Sequence, residues 1–401
     1  MTAAAAEKIP PAMPSFLDGL RPEALGAPES GIVEVMNYGR TREGMIPLWA
    51  GEGDVPTPAF ITEAATRSLA AGETFYTWQR GIPDLREALA RYHTNLFGKP
   101  FEPGRFFVTQ SGMHALQTCV RMVAGKGDEV IVPSPVWPNF PAAIGVAGAT
   151  PVMVPQIYTD AGWQLDRQRI ADAVTPRTRG IFINSPSNPT GWVATPDDLA
   201  FVLDLARRHG LWIFADEIYT RFHYAGGRAP SFRDIRTPED RIFFTDTFSK
   251  NWSMTGWRMG WIEAPPELGQ TIENLVQYST SGVAAFMQRA GIAALDRGES
   301  FVQHQIARAR QGRDIVVDGL GATGKVRFAP VNGAFYLFFT VEGRPDVRRL
   351  GLEIVDDANV GLAPGTAFGP GGEGFMRLCF LRSPEQLQVA TQRLVDWLGR
   401  I

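Results

Sequence analysis

The chain reads as an α/β protein, with a mostly parallel sheet carrying helices on both faces and a smaller α+β unit after it. Three observations predict this. Continuous apolar runs rich in β-branched and aromatic residues recur at 130–132, 181–183, 211–214 and 242–244; such runs suit strands buried on both faces. The stretch between the second and third carries helix-terminus signals. Strand, helix and strand in alternation imply parallel pairing through helical crossovers.

In chain order, Phe106-Phe107-Val108 is strand-like and leads through Ser111-Gly112-Met113 into a helical run over 114–123. The 130–132 and 181–183 strands follow, the second running into a rigid turn, Asn184-Ser185-Pro186-Ser187-Asn188-Pro189-Thr190-Gly191. Thr195 is placed to cap the next helix, with Pro196 at its first position and Asp198 closing a capping box. Arg207-Arg208-His209 and then Gly210 mark its end. The 211–214 strand leads to Asp216, and the 242–244 strand to a segment containing Lys250. Beyond about residue 295 the pattern changes to a long polar-rich helix over 301–320, short strands around 333–337 and 376–378, and a last helix opened by Ser383-Pro384-Glu385-Gln386. The expected division is an N-terminal arm with part of the small domain (1–50), a large domain (51–295) and a small C-terminal domain (296–401). Residues 3–6 are alanine-rich, and the glycine-rich 369–374 is expected as a surface loop. The run from Gly319 to Lys325 has the spacing of a nucleotide phosphate loop, but Val326 replaces the magnesium-binding hydroxyl and a helix precedes it, so it reads as a helix end and turn.

Composition narrows the function classes. A chain of 401 residues, 44% hydrophobic, fills substantial cores. A net charge of −3 and a pI near 6.0 offer no field that draws in nucleic acid or an anionic membrane. The expected ligand is a small molecule. Cys119 and Cys379 lie in apolar company and are expected as buried thiols of a reducing, cytoplasmic compartment. Residues 1–30 do not read as a secretion signal, and no apolar run reaches a membrane span. The five histidines are scattered without metal-ligand spacing, so no metal is expected.

The strongest chemical signal is Thr247-Phe248-Ser249-Lys250-Asn251-Trp252-Ser253-Met254-Thr255-Gly256-Trp257-Arg258. A lysine held among Phe248, Trp252, Met254 and Trp257 is expected to be partly desolvated, which disfavours its ammonium form and frees the amine as a nucleophile. Such lysines form Schiff bases, most often with pyridoxal phosphate. That cofactor presents an aldehyde, a pyridine nitrogen, a phenolic oxygen and a phosphate, and each finds a partner in the chain. Asp216, at the carboxyl end of an apolar strand, suits the pyridine nitrogen, although the position also fits a helix N-cap. Asn188 and Tyr219 suit the phenolic oxygen, although taken alone they read as a turn residue and a packing aromatic. Ser111, Gly112 and Met113 offer amides at a helix N-terminus, Thr247 a hydroxyl and Arg258 a bidentate guanidinium to the phosphate.

With these motifs in order from about residue 46 to 401, the chain resembles the class I/II aminotransferases of the fold-type I pyridoxal-phosphate enzymes. The resemblance implies a three-layer large domain on a mostly parallel seven-stranded sheet. It covers Gly51-Glu52-Gly53-Asp54-Val55-Pro56-Thr57-Pro58, where Gly53 stands in place of the commoner proline. It implies that Tyr76, before Gly81-Ile82-Pro83-Asp84-Leu85-Arg86, reaches the phosphate in a neighbouring subunit, and hence a homodimer with shared active sites. It further implies that Trp137 stacks on the cofactor ring, that Lys250 is the Schiff-base lysine and general base, and that Asp216 and Tyr219 serve catalysis beside it. Arg377 in Met376-Arg377-Leu378 matches the arginine that clamps the substrate α-carboxylate, with Gly51 and Asn188 nearby. The implied reaction is a ping-pong transfer of an amino group from an L-amino acid to a 2-oxo acid.

Substrate preference rests on less. Family members specific for acidic substrates can carry a lysine at the position of Met113, and Met113 makes no charge pair. With Trp78 and Trp137 it suggests a neutral, apolar or aromatic amino acid; Arg80 and Arg40 are alternative anchors for an acidic one, as in an aspartate-type enzyme. A C–S β-lyase would use the same lysine, aspartate and arginine. A cofactor-binding transcription regulator would need a DNA-binding module, and the first 45 residues show neither a basic face nor a helix-turn-helix pattern. A nicotinamide dehydrogenase would need a glycine fingerprint that the chain lacks.

Overall fold

A computed structural model describes residues 16–401. The alanine-rich 3–6 patch and half of the 1–30 segment lie outside the described residues.

Seven strands form one sheet in the order Phe106–Thr109, Gly260–Glu263, Ile242–Thr247, Trp212–Asp216, Thr178–Asn184, Glu129–Ser134, Thr150–Pro155. All pairings are parallel except those of Gly260–Glu263, which runs antiparallel to both neighbours. The period-2 alternation of strand side chains explains why the apolar runs are unbroken. Val130, Val132, Phe182, Phe214 and Phe243 point into a core shared with Leu116 and Phe140. Ile131, Ile181, Ile183, Ile213, Ile242 and Phe244 point into another, shared with Val202, Leu203 and Leu205 of the Pro196–His209 helix. The sheet is therefore the middle of three layers. That helix has the expected grammar: Thr195 and Asp198 form the capping box, and Gly210 closes the end with φ 65°.

A second sheet of four antiparallel strands follows the order Val326–Phe328, Tyr336–Val341, Phe375–Cys379, Ala363–Pro364. Behind it the Glu299–Gly321 helix packs on the Pro384–Arg400 helix. The N-terminal segment joins this unit: Ile46–Pro47 pairs in parallel with Val360–Gly361, and the Gly31–Gly39 helix packs on the Val347–Ala358 helix.

Two expectations change. The strand expected around 333–337 begins only at Tyr336; Gly333 makes an isolated bridge to His223, where its missing side chain admits Pro186 and Val193. The 369–374 loop is not simply a surface loop. Gly372 is buried, and a Cβ there would come within 2.2 Å of the Gly365 carbonyl oxygen, so the loop is folded back on the chain.

Candidate active site

Sheet register assembles the site. Asn184 lies opposite Asp216, and Asp216 opposite Thr245, so three polar side chains share the carboxyl edge of adjacent parallel strands, where open α/β sheets bind ligands. A pocket of about 420 Å³ opens there, walled on its other side by Tyr336 and Arg377 of the small sheet.

Lys250 follows the Ile242–Thr247 strand on a one-turn helix that Thr247 caps, its Oγ1 accepting the Ser249 amide at 3.1 Å. Lys250 is half-buried; its Nζ donates to the Gly51 carbonyl oxygen at 2.7 Å and lies 5.9 Å from the Tyr219 ring centre. Burial pushes its pKa down to about 8, against the opposing pull of Cys379, Glu52 and Asp216. The aromatic company expected from the local sequence is not what surrounds the amine. Phe248, Trp252 and Met254 are buried in a core with Met259 and Trp261, with half-buried Trp257 against it, and none of the four lines the pocket. Side chains flanking a residue on a short helix point to other sides of it, so the walls around the amine come from distant segments.

Asp216 is 2% exposed, and burial raises its carboxyl to about 7, with an amide hydrogen bond from Ile218 and the charge of Lys250 opposing. Its Oδ1, with Thr245 Oγ1 and Arg377 Nε, is buried without a hydrogen-bond partner among the described residues. Buried polar atoms are nearly always paired, so three unpaired ones lining one pocket mark a place for a polar ligand. Asn188 is held by its own amide, which donates to Asn184 Oδ1 at 2.8 Å, while Asn184 Nδ2 donates to the Asp216 carbonyl at 3.2 Å. Arg377 donates to Asn188 Oδ1 at 3.0 Å and to the Trp49 carbonyl, and its guanidinium is stacked 4.8 Å from both the Tyr336 and Phe368 ring centres. This clamp fixes a buried cation whose Nε remains free.

At the other end, Gly112 and Met113 begin the Gly112–Val123 helix and line the pocket, beside Thr247, Ser249 and Arg258. Gly260 makes that approach possible: a Cβ there would sit 2.7 Å from Gly112 N and 2.6 Å from the Asp246 carbonyl oxygen. Thr247 Oγ1 also lies 3.0 Å from the Met259 carbonyl oxygen, and Arg258, exposed at φ 52°, donates to the Thr255 carbonyl at 2.7 Å. Trp137 lines the pocket and is half-buried.

Eleven of the thirteen singled-out residues therefore converge: Gly51, Gly112, Met113, Trp137, Asn188, Asp216, Tyr219, Thr247, Lys250, Arg258 and Arg377. Ser111 and Tyr76 do not line the pocket. Ser111 Oγ caps the helix, accepting the His114 amide at 3.0 Å, and Tyr76 is 94% exposed on the outer surface. The three auxiliary side chains of the substrate argument also fall elsewhere. Trp78 is 58% exposed, Arg80 pairs with Glu273 and stacks over Phe107, and Arg40 is exposed beside Asn37. Sequence reasoning missed Tyr336, whose Oη lies 2.7 Å from Tyr219 Oη, and also Ser249, Thr245, Ile32 and Trp49. Ser249 stood beside Lys250 and could have been found; Tyr336 had no local signal beyond an apolar strand.

The family model for aminotransferase class I and II matches residues 43–394. The chain is 34% identical over 357 residues to the aspartate aminotransferase of Thermotoga maritima, covering 89% of this chain and 92% of that one. It is 32% identical over 375 residues to aromatic-amino-acid aminotransferase 2 of Thermococcus litoralis, covering 91% and 94%. Its fold is similar to the solved structure of the alanine aminotransferase from Pyrococcus furiosus, with a TM-score of 0.89 at 26% identity over 95% of this chain and all of that one.

Proposed function

The chain belongs to the class I and II aminotransferases, a family that uses pyridoxal phosphate on amino acids and 2-oxo acids, and on that premise we propose how its own pocket carries the reaction. The pocket's residues fit pyridoxal phosphate, which when bound would supply an electron sink for the α-carbon of the amino acid. The observation that carries this reading is the buried Asp216 carboxyl in one pocket with Lys250, its Oδ1 without a hydrogen-bond partner among the described residues, a place where a protonated pyridine nitrogen fits. Tyr219 and Asn188 Nδ2 serve the ring oxygen, Trp137 the ring face, and the Gly112 and Met113 amides, Thr247 and Arg258 the phosphate. Arg377 binds the α-carboxylate of the amino acid and fixes the α-carbon beside Lys250. The Lys250 amine would take the α-proton and hand it back as general base and acid, a task suited to a pKa near operating pH.

We take the donor to be neutral, apolar or aromatic. Besides Lys250, Arg258 and Arg377, which have assigned work, no cationic side chain among the described residues lines the pocket, while Ile32, Trp49, Met113 and Leu116 do. The names of the relatives and solved structures include aspartate, aromatic and alanine aminotransferases, aspartate being the one most often named, so this substrate reading rests on the pocket lining. An aspartate-type specificity needs a cation from outside this chain's pocket, and a partner subunit is one source.

The assembly we propose is a homodimer with shared sites. Phe75, Tyr76, Trp78 and Tyr278 are 58% to 94% exposed, which supports a covered face. Residues 51–295 form the proposed cofactor domain, with 296–401 and the described part of 1–50 forming the second. No helix among the described residues is long and apolar enough to cross a membrane. The buried thiols of Cys119 and Cys379 support a cytoplasmic location.

The test is the visible spectrum of the protein reconstituted with pyridoxal phosphate, followed by single turnovers with aspartate, alanine, phenylalanine and leucine. A lysine-linked band absent from Lys250→Ala is expected, with turnover fastest for phenylalanine or leucine. Aspartate outpacing them would overturn the substrate reading, and pyruvate plus ammonia formed without an added oxo acid would favour β-lyase chemistry.

A further inference from the structure

We infer that Tyr336 is a positioning residue for Tyr219: its hydroxyl donates to Tyr219 Oη and so leaves the Tyr219 proton facing the pocket, toward the cofactor's ring oxygen. The inference rests on the pyridoxal-phosphate reading above. The two Oη atoms are 2.7 Å apart, and the rings meet edge to face with centroids 5.7 Å apart at 87°. Both side chains are buried, at 2% and 0% exposure. Each phenol has one proton, so only one of the pair donates to the other.

Two features make Tyr336 the donor. Among the described residues, no acceptor other than Tyr219 Oη lies within hydrogen-bond distance of its hydroxyl, and a buried donor aimed elsewhere would lose its partner. The Arg377 guanidinium also sits 4.8 Å from the Tyr336 ring centre, and a cation there makes that phenol the stronger acid. Both phenols line the pocket and Asp216 opposes the ionisation of each, but among the described residues only Tyr336 of the two has a guanidinium over its ring, Lys250 Nζ lying farther off, 5.9 Å from the Tyr219 ring centre. A phenol that accepts a hydrogen bond becomes a better donor at its own proton. Tyr219 thus holds the ring oxygen's negative charge more firmly, which lowers the pH at which the linked Lys250 nitrogen gives up its proton. Gly51 belongs to the same device, since a Cβ there would lie 2.3 Å from Tyr336 Oη.

The experiment titrates the visible band of the pyridoxal-phosphate-loaded protein against pH in wild type, Tyr336→Phe, Tyr219→Phe and the double variant. Phenylalanine keeps the ring over Arg377 and removes only the hydroxyl. The expected result is a titration midpoint raised in Tyr336→Phe by about 0.5 unit or more, raised further in Tyr219→Phe, and no higher in the double variant than in Tyr219→Phe. An unchanged midpoint with a raised KM for the amino acid would assign Tyr336 to packing Arg377 alone and overturn the inference. A lowered midpoint would make Tyr219 the donor and overturn it equally, as would additive shifts in the double variant. Failure of the cofactor reading looks different: wild type itself would show no pH-dependent band.

Discussion

Lys250 Nζ donates a 2.7 Å hydrogen bond to the carbonyl oxygen of Gly51, 199 positions earlier in the chain. The contact ties the start of the matched region to the helix turn after the Ile242–Thr247 strand, and it sets the amine beside Tyr219, Asp216 and Arg377.

Burial lowers the Lys250 ammonium to about pH 8, so the neutral, nucleophilic fraction grows as pH rises through that value. Protein stripped of cofactor should take up pyridoxal phosphate faster from about pH 6 upward and level off near 9, as expected for one group of this pKa. Stopped-flow growth of the visible band measures it. A rate still climbing nearly tenfold per unit between about pH 8 and 9 would mark an ordinary lysine.

Gly51→Ala places a methyl 2.3 Å from Tyr336 Oη. Either Tyr336 leaves Tyr219 or the Gly51 carbonyl leaves Lys250. Crowding of this kind costs about 1–3 kcal/mol, and kcat should fall by about tenfold or more for each 1.4 kcal/mol charged to the transition state. Circular dichroism should show the fold retained; wild-type kcat would mean that the backbone yields there freely.

Asp216 binds its proton more tightly folded, at about 7, than unfolded, at 3.8. The sign follows from linkage: without cofactor the native state holds the extra proton between these values, so this group's contribution to stability declines as pH rises from about 4 to 7. Asp216→Asn should therefore raise the melting temperature of the cofactor-free protein by at least about 2 °C at pH 8 and change it little at pH 4. The same variant should bind pyridoxal phosphate at least about tenfold more weakly, a loss of 1.4 kcal/mol, because the pyridine nitrogen loses its counter-charge. Equilibrium dialysis checks the second outcome and calorimetry the first.

Met113→Lys introduces a cation at the pocket wall. If the pocket lacks an anchor for a distal carboxylate, kcat/KM for aspartate should rise by about tenfold or more and that for phenylalanine should fall, a charge-assisted pair contributing about 1.5–3 kcal/mol. Aspartate turnover left unchanged would show that the side chain of the substrate lies elsewhere.

The short-range parts of the molecule were legible because they rest on local chemistry. The Thr195 and Asp198 capping box and the Gly210 terminus follow from which side chains can satisfy free helix ends. The strands at 130–132, 181–183 and 242–244 follow from apolar runs that only a doubly covered sheet can bury. Lys250, Asp216, Asn188 and Arg377 stood out through motifs in family order, and the pocket gathers all four.

What local pattern could not supply was direction and distance. Phe248, Trp252 and Met254 adjoin Lys250 in sequence yet turn into a core away from its amine, and Trp78, Arg80 and Arg40 have side chains engaged or exposed elsewhere. Tyr336 belongs to the small sheet, and its pairing with Tyr219, 117 positions away, arises only when the two sheets close on one another. By itself, the sequence determined the element types, the chemistry on offer and the family. Tertiary structure decided which charges lie buried and unpaired, and so that Asp216 sits near pH 7 and Lys250 near 8. The reason is physical: side-chain identity is local, whereas desolvation depends on everything that packs around a group.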